Sequence, residues 1–329
     1  MLGKLKQLFR RDPTTSFAHN KTLTAEITGA DAQSAENIHA RYTQWLLQDF
    51  GEIETPLSVP EKLVGQAVEQ QLRDYEKRAT AVPRLPTVIP LLLKQLRDPL
   101  ASAREYAGVI TQDPVVSTAV LKVANSVYFN PYRKPLDNFE RVVNDLGVLK
   151  LRMILSAAVM QPVLLDRHNV LPQKVWKHSL ICAACCQQLA DREGVDSFKA
   201  YMTGLVHDIG VVTLFNQAQL SSREFLQTSK VNAALLNPLF AQLAKPLAHW
   251  VAQDWNLPAD IVRALAAQYE PGEGSALAQI LRRANRLCEA FALYRTGQMQ
   301  RDEVAALAAQ LQFPDTIVSL LESSFGEDE

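Results

Sequence analysis

Apolar residues recur at intervals of three and four along most of this chain, which is the spacing of one face of an α-helix. Residues 60–80 show this spacing, and Ser58 with Glu61 forms the pattern of a capping box at their start. Gly147 separates a predicted helix ending near Leu146 from residues 148–165, which are apolar on nearly every side and are expected at the centre of the core. Alternating strand patterns longer than a few residues are absent, as are Asn-Gly and Asp-Gly hairpin pairs. The sequence therefore predicts an all-α fold.

A proline-containing stretch at residues 79–86 marks a domain boundary. We predict an N-terminal helical arm or accessory region in residues 1–80, which is more polar and contains a helix near 36–50. Residues 81–329 are predicted to form the main domain, and two further short helices are expected near its end in residues 302–325.

Composition excludes several classes of protein. Hydrophobic residues make up 47% of the chain, enough for a sizeable core, and a net charge of −1 gives no general attraction to nucleic acid or acidic membranes. No run approaches the roughly 18 apolar residues of a membrane helix, and the N-terminus has no signal-peptide pattern. Of the four cysteines, three crowd into residues 182–186, which is not a disulfide framework. We expect a cytoplasmic protein that does not bind nucleic acid.

Three minor patterns have ordinary structural explanations. Residues 1–11 form a short basic amphipathic stretch, which we expect to pack on its own domain or fray rather than contact a membrane. Cys182 and Cys185 have the spacing of half a zinc site, but no second pair completes it, which favours packing. The basic run at residues 282–286 fits a phosphate contact or, more simply, a solvated helix face.

The string GLVHDIG at residues 204–210 carries the main candidate for chemistry. His207 and Asp208 are adjacent, and an imidazole and a carboxylate can both reach one metal ion at about 2.0–2.2 Å. A capping aspartate beside a core histidine is the alternative. His178 lies on an apolar helix face, where a hydrogen-bonded core histidine is equally in keeping with the pattern. Together the three residues have the composition of a two-histidine, one-carboxylate metal site.

The order of these residues, together with the segments upstream, resembles the HDOD family, the output-domain relatives of HD-domain metal phosphohydrolases. The resemblance covers roughly residues 84–325 and implies a multi-helical HD-type bundle. It rests on segments that match in order and spacing: LPTVIPLLLKQLRDP at 85–99, Asp113-Pro114, Ala124-Asn125-Ser126, Leu146-Gly147 with Arg152, and Trp255 with Leu257-Pro258.

Departures from the family's catalytic pattern bear directly on function. The resemblance implies a final metal-binding aspartate on a late helix, where this chain has Asn285, and an amide is a poorer ligand than a carboxylate. Ala244 stands where many relatives have a histidine, and Gln268-Tyr269 stands where a histidine pair often follows. Only His178, His207 and Asp208 remain of the ligand set.

The resemblance and these losses predict a non-catalytic signal-transduction or scaffolding module with a degenerate metal site. No catalytic residue and no cofactor are expected, although His178, His207 and Asp208 could hold a divalent metal weakly. The partner would be a signalling protein or a small ligand, and the sequence is compatible with a homodimer. The alternative is a metal-dependent phosphohydrolase acting on a nucleotide or cyclic dinucleotide, in which His207 and Asp208 would carry the chemistry.

Overall fold

The computed structural model describes residues 29–82, 114–130, 132, 134–164, 168–270 and 274–325. These residues form helices and connecting turns without a β-strand, which confirms the predicted all-α fold. A 3₁₀ turn at Gln48–Phe50 follows the first helix. The α-helices are α1 (Gly29–Leu47), α2 (Val59–Arg73), α3 (Tyr75–Ala81), α4 (Pro114–Ala124), α5 (Phe139–Leu164), α6 (Val170–Glu193), α7 (Ser197–Val206), α8 (Ile209–Leu226), α9 (Ala233–Asp254), α10 (Ala259–Ala266), α11 (Ala276–Arg295), α12 (Arg301–Gln310) and α13 (Ile317–Phe325).

The chain divides between Asn37 and Ile38 into two compact units. In the first, the structure describes residues 29–37, which belong to α1; the second contains the other described helices. The domain boundary predicted near residue 80 stays a prediction. Residues 1–11 and the part of the HDOD-like segment in residues 85–113 lie outside the described residues.

Local sequence signals set several helix boundaries as predicted. Ser58 caps α2, its backbone N–H donating to Glu61 Oε2 at 2.7 Å while Glu61 N donates to Ser58 Oγ at 3.4 Å, which is a capping box. Gly147 breaks α5 with φ +81°, a left-handed value that glycine adopts without strain. Beyond this break, residues 153–160 are buried, so the apolar segment does lie in the core.

Two closely packed helix pairs, α6 with α7 and α8 with α9, lie at the centre of the second unit. Helix α6 lies against α7 and α11, and helix α8 lies against α9 and α2. Helix α10 contacts α7, α9 and α11, so it joins the two pairs on one side. No helix in the described part of the chain combines the length and the apolar character that crossing a bilayer requires.

Two glycines allow unusually close helix crossings on either side of the His-Asp pair. A Cβ at Gly204 would lie 2.7 Å from backbone atoms of Ala183 on α6, and a Cβ at Gly210 would lie 1.9 Å from the carbonyl oxygen of Ala244 on α9. Both contacts are with backbone, which cannot turn away as a flexible side chain can. The two glycines of GLVHDIG therefore hold the turn between α7 and α8 close to α6 on one side and to α9 on the other.

The change Gly210→Ala is expected to lower the free energy of unfolding by about 3 kcal/mol or more, because α8 and α9 must separate to admit the methyl group. Urea unfolding followed by circular dichroism measures this loss.

Gly65→Ala is the matched control, since its new methyl group would meet only the flexible end of Leu235 at 3.3 Å. The free energy of unfolding of this variant should stay within about 1 kcal/mol of that of the natural protein, because alanine also favours the helix. Equal stability of the two variants would show that the α8–α9 crossing is not tight.

Candidate functional site

The turn between α7 and α8 presents two side chains to the interior. His207 caps the end of α7, and its Nδ1 donates to the carbonyl oxygen of Gly204 at 2.8 Å, which directs the lone pair or proton of Nε2 inward. Asp208 stands at the N-cap position of α8, but its side chain makes no capping hydrogen bond. The carboxylate is therefore available to the site, unlike that of an ordinary capping aspartate.

The structure brings the three predicted residues together from separate elements. His178 lies on α6, and Asp208 Oδ2 is 3.6 Å from His178 Nε2 and 3.3 Å from His207 Nε2. Within the described ranges these residues form the one group of three His, Cys, Asp or Glu side chains close enough to share a metal ion. The histidine side chains are 2% and 0% exposed and that of Asp208 is 22% exposed, so the carboxylate faces the open side.

Asn285 supplies a fourth donor atom from α11. Its Oδ1 lies 2.8 Å from His178 Nε2 and 3.1 Å from His207 Nε2. The residue that the resemblance aligned with a final metal-binding aspartate thus lies within the same cluster as the other three.

Four of the six separations among these donor atoms are close to those expected around one divalent cation. Ligands about 2.1 Å from a common ion lie roughly 3.0–3.4 Å from each other in octahedral or tetrahedral geometry. The separations given above fall close to this range. One carboxylate leaves a divalent ion with about one uncompensated positive charge. By these distances the residues are compatible with a single metal ion.

Support around the two histidines is unequal. A histidine that binds metal through Nε2 normally donates its other N–H to an acceptor. His207 does so to Gly204, whereas His178 Nδ1 is buried and has no hydrogen-bond partner among the described residues. Burial lowers the pKa of His178, despite the nearby carboxylate of Asp208. The ring of Tyr42 packs on His178 with centroids 4.8 Å apart, so ring packing helps to hold the imidazole in place.

A second layer, absent from the sequence prediction, lies behind Asn285. Glu289, one helical turn further along α11, accepts a hydrogen bond from Asn285 Nδ2 at 3.1 Å. The same carboxylate oxygen lies 2.7 Å from Nδ1 of His39 on α1. The i, i+4 spacing of an amide and a carboxylate was the sequence signal available for this pair. Nothing in the sequence placed His39 beside it.

The positions that lack family histidines contribute no metal-binding side chain. Ala244 is buried, and its carbonyl oxygen meets Gly210 at the helix crossing. Tyr269 pairs with His249 instead, its hydroxyl 2.6 Å from the imidazole Nδ1. The chain thus replaces these polar positions with packing and a local hydrogen bond.

The minor candidates from the sequence are engaged in structural contacts. Cys182 and Cys185 are buried and free, and burial raises the pKa of the Cys182 thiol well above its ordinary value, which keeps it protonated. In the basic run, Arg283 forms an ion pair with Glu193. Arg282 donates to the carbonyl oxygen of Ala267 at 3.3 Å, so both arginines hold neighbouring elements.

The fold and this cluster define a helical protein of HD type, and sequence comparison identifies the family. The HDOD domain family matches residues 82–271, more than half of the chain, so the chain belongs to the HDOD family. This confirms the resemblance found in the sequence.

Solved structures show the same fold. A protein of Shewanella amazonensis SB2B, provisionally described as a phosphohydrolase, matches with a TM-score of 0.57 and 20% identity over 80% of this chain and 95% of that one. An HDOD domain protein of unknown function from Geobacter sulfurreducens matches with a TM-score of 0.55 and 21% identity over 79% and 96%. Such distant likeness shows fold, not activity.

A curated relative is an uncharacterised protein of Treponema pallidum. It is 22% identical over 194 residues, which cover 57% of this chain. The chain spans 37% of the length of that protein.

His39→Gln should reduce stability more at pH 6 than at pH 8.5. The Glu289 carboxylate raises the pKa of His39 above its ordinary value of 6.5, mainly through their hydrogen bond. The stabilisation that protonated His39 gains from Glu289 is complete below the pKa of this imidazole in the unfolded chain. It is lost as pH rises through the pKa in the folded protein. Because the imidazole is half exposed, we expect less than about 1 kcal/mol, measured by urea unfolding at both pH values.

His249→Gln gives a control of opposite sign. Burial lowers the pKa of His249, so its contribution is present above pH 6.5 and is lost as pH falls. The difference in the free energy of unfolding between the natural protein and this variant should be larger at pH 8.5 than at pH 6. The same pH trend in both variants would contradict the assignment of the His39–Glu289 pair.

Proposed function

We propose that this chain is a non-catalytic signal-transduction or scaffolding module of HDOD type, with a degenerate HD metal centre. The proposal is carried by Asn285. Its amide oxygen lies 2.8 and 3.1 Å from the two imidazole Nε2 atoms, and the resemblance aligns this residue with the final metal-binding aspartate of active HD hydrolases. A neutral amide adds no negative charge to offset a divalent cation.

The centre is compatible with one divalent ion, held by His178, His207, Asp208 and Asn285. A bound ion of this kind lowers the pKa of a coordinated water and polarises a phosphoryl oxygen. Within this chain, His207 is oriented by Gly204 and Asp208 faces the open side, so these two residues would position whatever ligand enters. The described residues offer no second group of this kind for the two-ion clamp that many phosphoesterases use.

The same four atoms also support a second candidate, a metal-dependent phosphohydrolase acting on a nucleotide or cyclic dinucleotide. The observation in its favour is their spacing, which suits one metal ion, together with the oriented His207 imidazole. One ion that activates water can be sufficient for hydrolysis when the site also binds the leaving group. The exposed edge of Asp208 is the approach for such a substrate.

We further propose that the module binds a signalling protein or a small ligand through the helices around this centre, and that it acts in the cytoplasm. The four buried, free cysteines support a reducing compartment. A homodimer is one arrangement through which such a module would transmit a signal.

Purified without chelator, the natural protein is expected to contain well under one equivalent of Mn, Fe or Zn by elemental analysis. It should also show no turnover of bis(4-nitrophenyl) phosphate with Mn²⁺, Mg²⁺ or Zn²⁺, because the centre lacks the charge to hold and use the ion.

His207→Ala is the matched variant, and thermal unfolding shows whether it is folded. Hydrolysis by the natural protein that disappears in a folded His207→Ala variant would reject the non-catalytic proposal and establish the phosphohydrolase. Stoichiometric metal without hydrolysis would keep the module non-catalytic and assign the ion a structural role.

A further inference from the structure

The orientation of the Asn285 amide is decided by one neighbour. A side-chain amide can present either its oxygen or its NH₂ group to the imidazoles, and the two ends have nearly the same shape. Glu289 offers only carboxylate oxygens, which accept hydrogen bonds, so the NH₂ group must face Glu289 and the oxygen must face His178 and His207.

The hydrogen-bonded pair of Asn285 and Glu289 lies in a poorly solvated place, where the charge of the Glu289 carboxylate has a large effect. The Glu289 side chain is 5% exposed and sits on the inner face of α11. At this depth a carboxylate is costly unless its oxygens receive hydrogen bonds, and both Asn285 and His39 lie within hydrogen-bond distance of the same oxygen. Asn285 is therefore part of the support of a buried carboxylate as well as part of the site.

A carboxylate at position 285 would meet a different environment. Its second oxygen would replace the NH₂ group 3.1 Å from Glu289 Oε1, and two carboxylates at this distance repel each other strongly in a poorly solvated place. The imidazolium of His39 could offset one of the charges only while it is protonated.

We infer that Glu289 is a positioning residue that favours an amide over a carboxylate at position 285. An aspartate at this position would then be able to serve the centre only if Glu289 is changed as well. The inference rests on the proposed function and deepens it. It names Asn285 and Glu289 as the two residues that together keep a carboxylate out of position 285. Glu289 acts on the centre through its hydrogen bond with Asn285.

A double-mutant cycle at pH 8 tests this inference with Asn285→Asp, Glu289→Gln and both changes together. Thermal unfolding in excess EDTA is the first measurement. In the natural background, Glu289→Gln should lower Tm slightly, since its amide oxygen still accepts from Asn285. In the Asn285→Asp background, the same change should raise Tm by about 3 °C or more, because it removes the facing carboxylate.

Titration with Mn²⁺ by calorimetry is the second measurement. The double variant should bind Mn²⁺ at least about tenfold more tightly than Asn285→Asp alone, since its carboxylate is free to turn toward the imidazoles. A purely structural role of Glu289 would change stability without this gain in affinity.

Asn232 and Glu61 provide the matched control pair. Asn232 Nδ2 donates to Glu61 Oε1 at 2.6 Å, the same chemistry at a more solvated place away from the centre. Asn232→Asp with and without Glu61→Gln should show a smaller coupling in Tm and no change in Mn²⁺ affinity.

The inference is overturned if Glu289→Gln shifts Tm equally in both backgrounds, or if Asn285→Asp alone binds Mn²⁺ as tightly as the double variant. The metal-free Tm cycle does not depend on hydrolysis. A phosphohydrolase activity in the natural protein would therefore reject the proposed function and leave this result intact.

Discussion

Close contact between helix backbones at two glycines is the constraint on which the centre depends. Gly204 lets α7 approach α6 at Ala183, and Gly210 lets α8 approach α9 at Ala244. Between these crossings the chain has only a short turn, and that turn carries the His-Asp pair. Because packed interiors deform little, the crossings fix the histidine and the aspartate relative to the neighbouring helices. The rest of the cluster is arranged around this fixed point.

The polar groups of the centre form one connected network rather than separate pairs. It runs from the imidazoles of His178 and His207 through the Asn285 amide to Glu289 and then to His39. Donors and acceptors alternate along the last steps, since the amide has one end of each kind. A connected network of this kind specifies a single arrangement more strongly than its individual hydrogen bonds do. It also brings α1 into the surroundings of the centre.

Under the proposed function, the centre would have the shape of an HD metal site without its full negative charge. The orientation of His207 and the placement of Asp208 follow from the packing of the helices on either side of their turn. Charge is easier to lose than shape, because one aspartate-to-asparagine difference leaves the volume nearly unchanged.

The helical class, the start of α2 at Ser58 and the break at Gly147 could be predicted from the sequence, because capping and periodicity are local. The order and spacing of longer segments indicated the family. Three residues of the cluster were identified by residue type and Asn285 by resemblance. Tertiary packing was needed to show that Asp208 makes no capping hydrogen bond and that Glu289 and His39 lie behind Asn285. These contacts join residues up to 250 positions apart, and no local pattern records which helix faces meet.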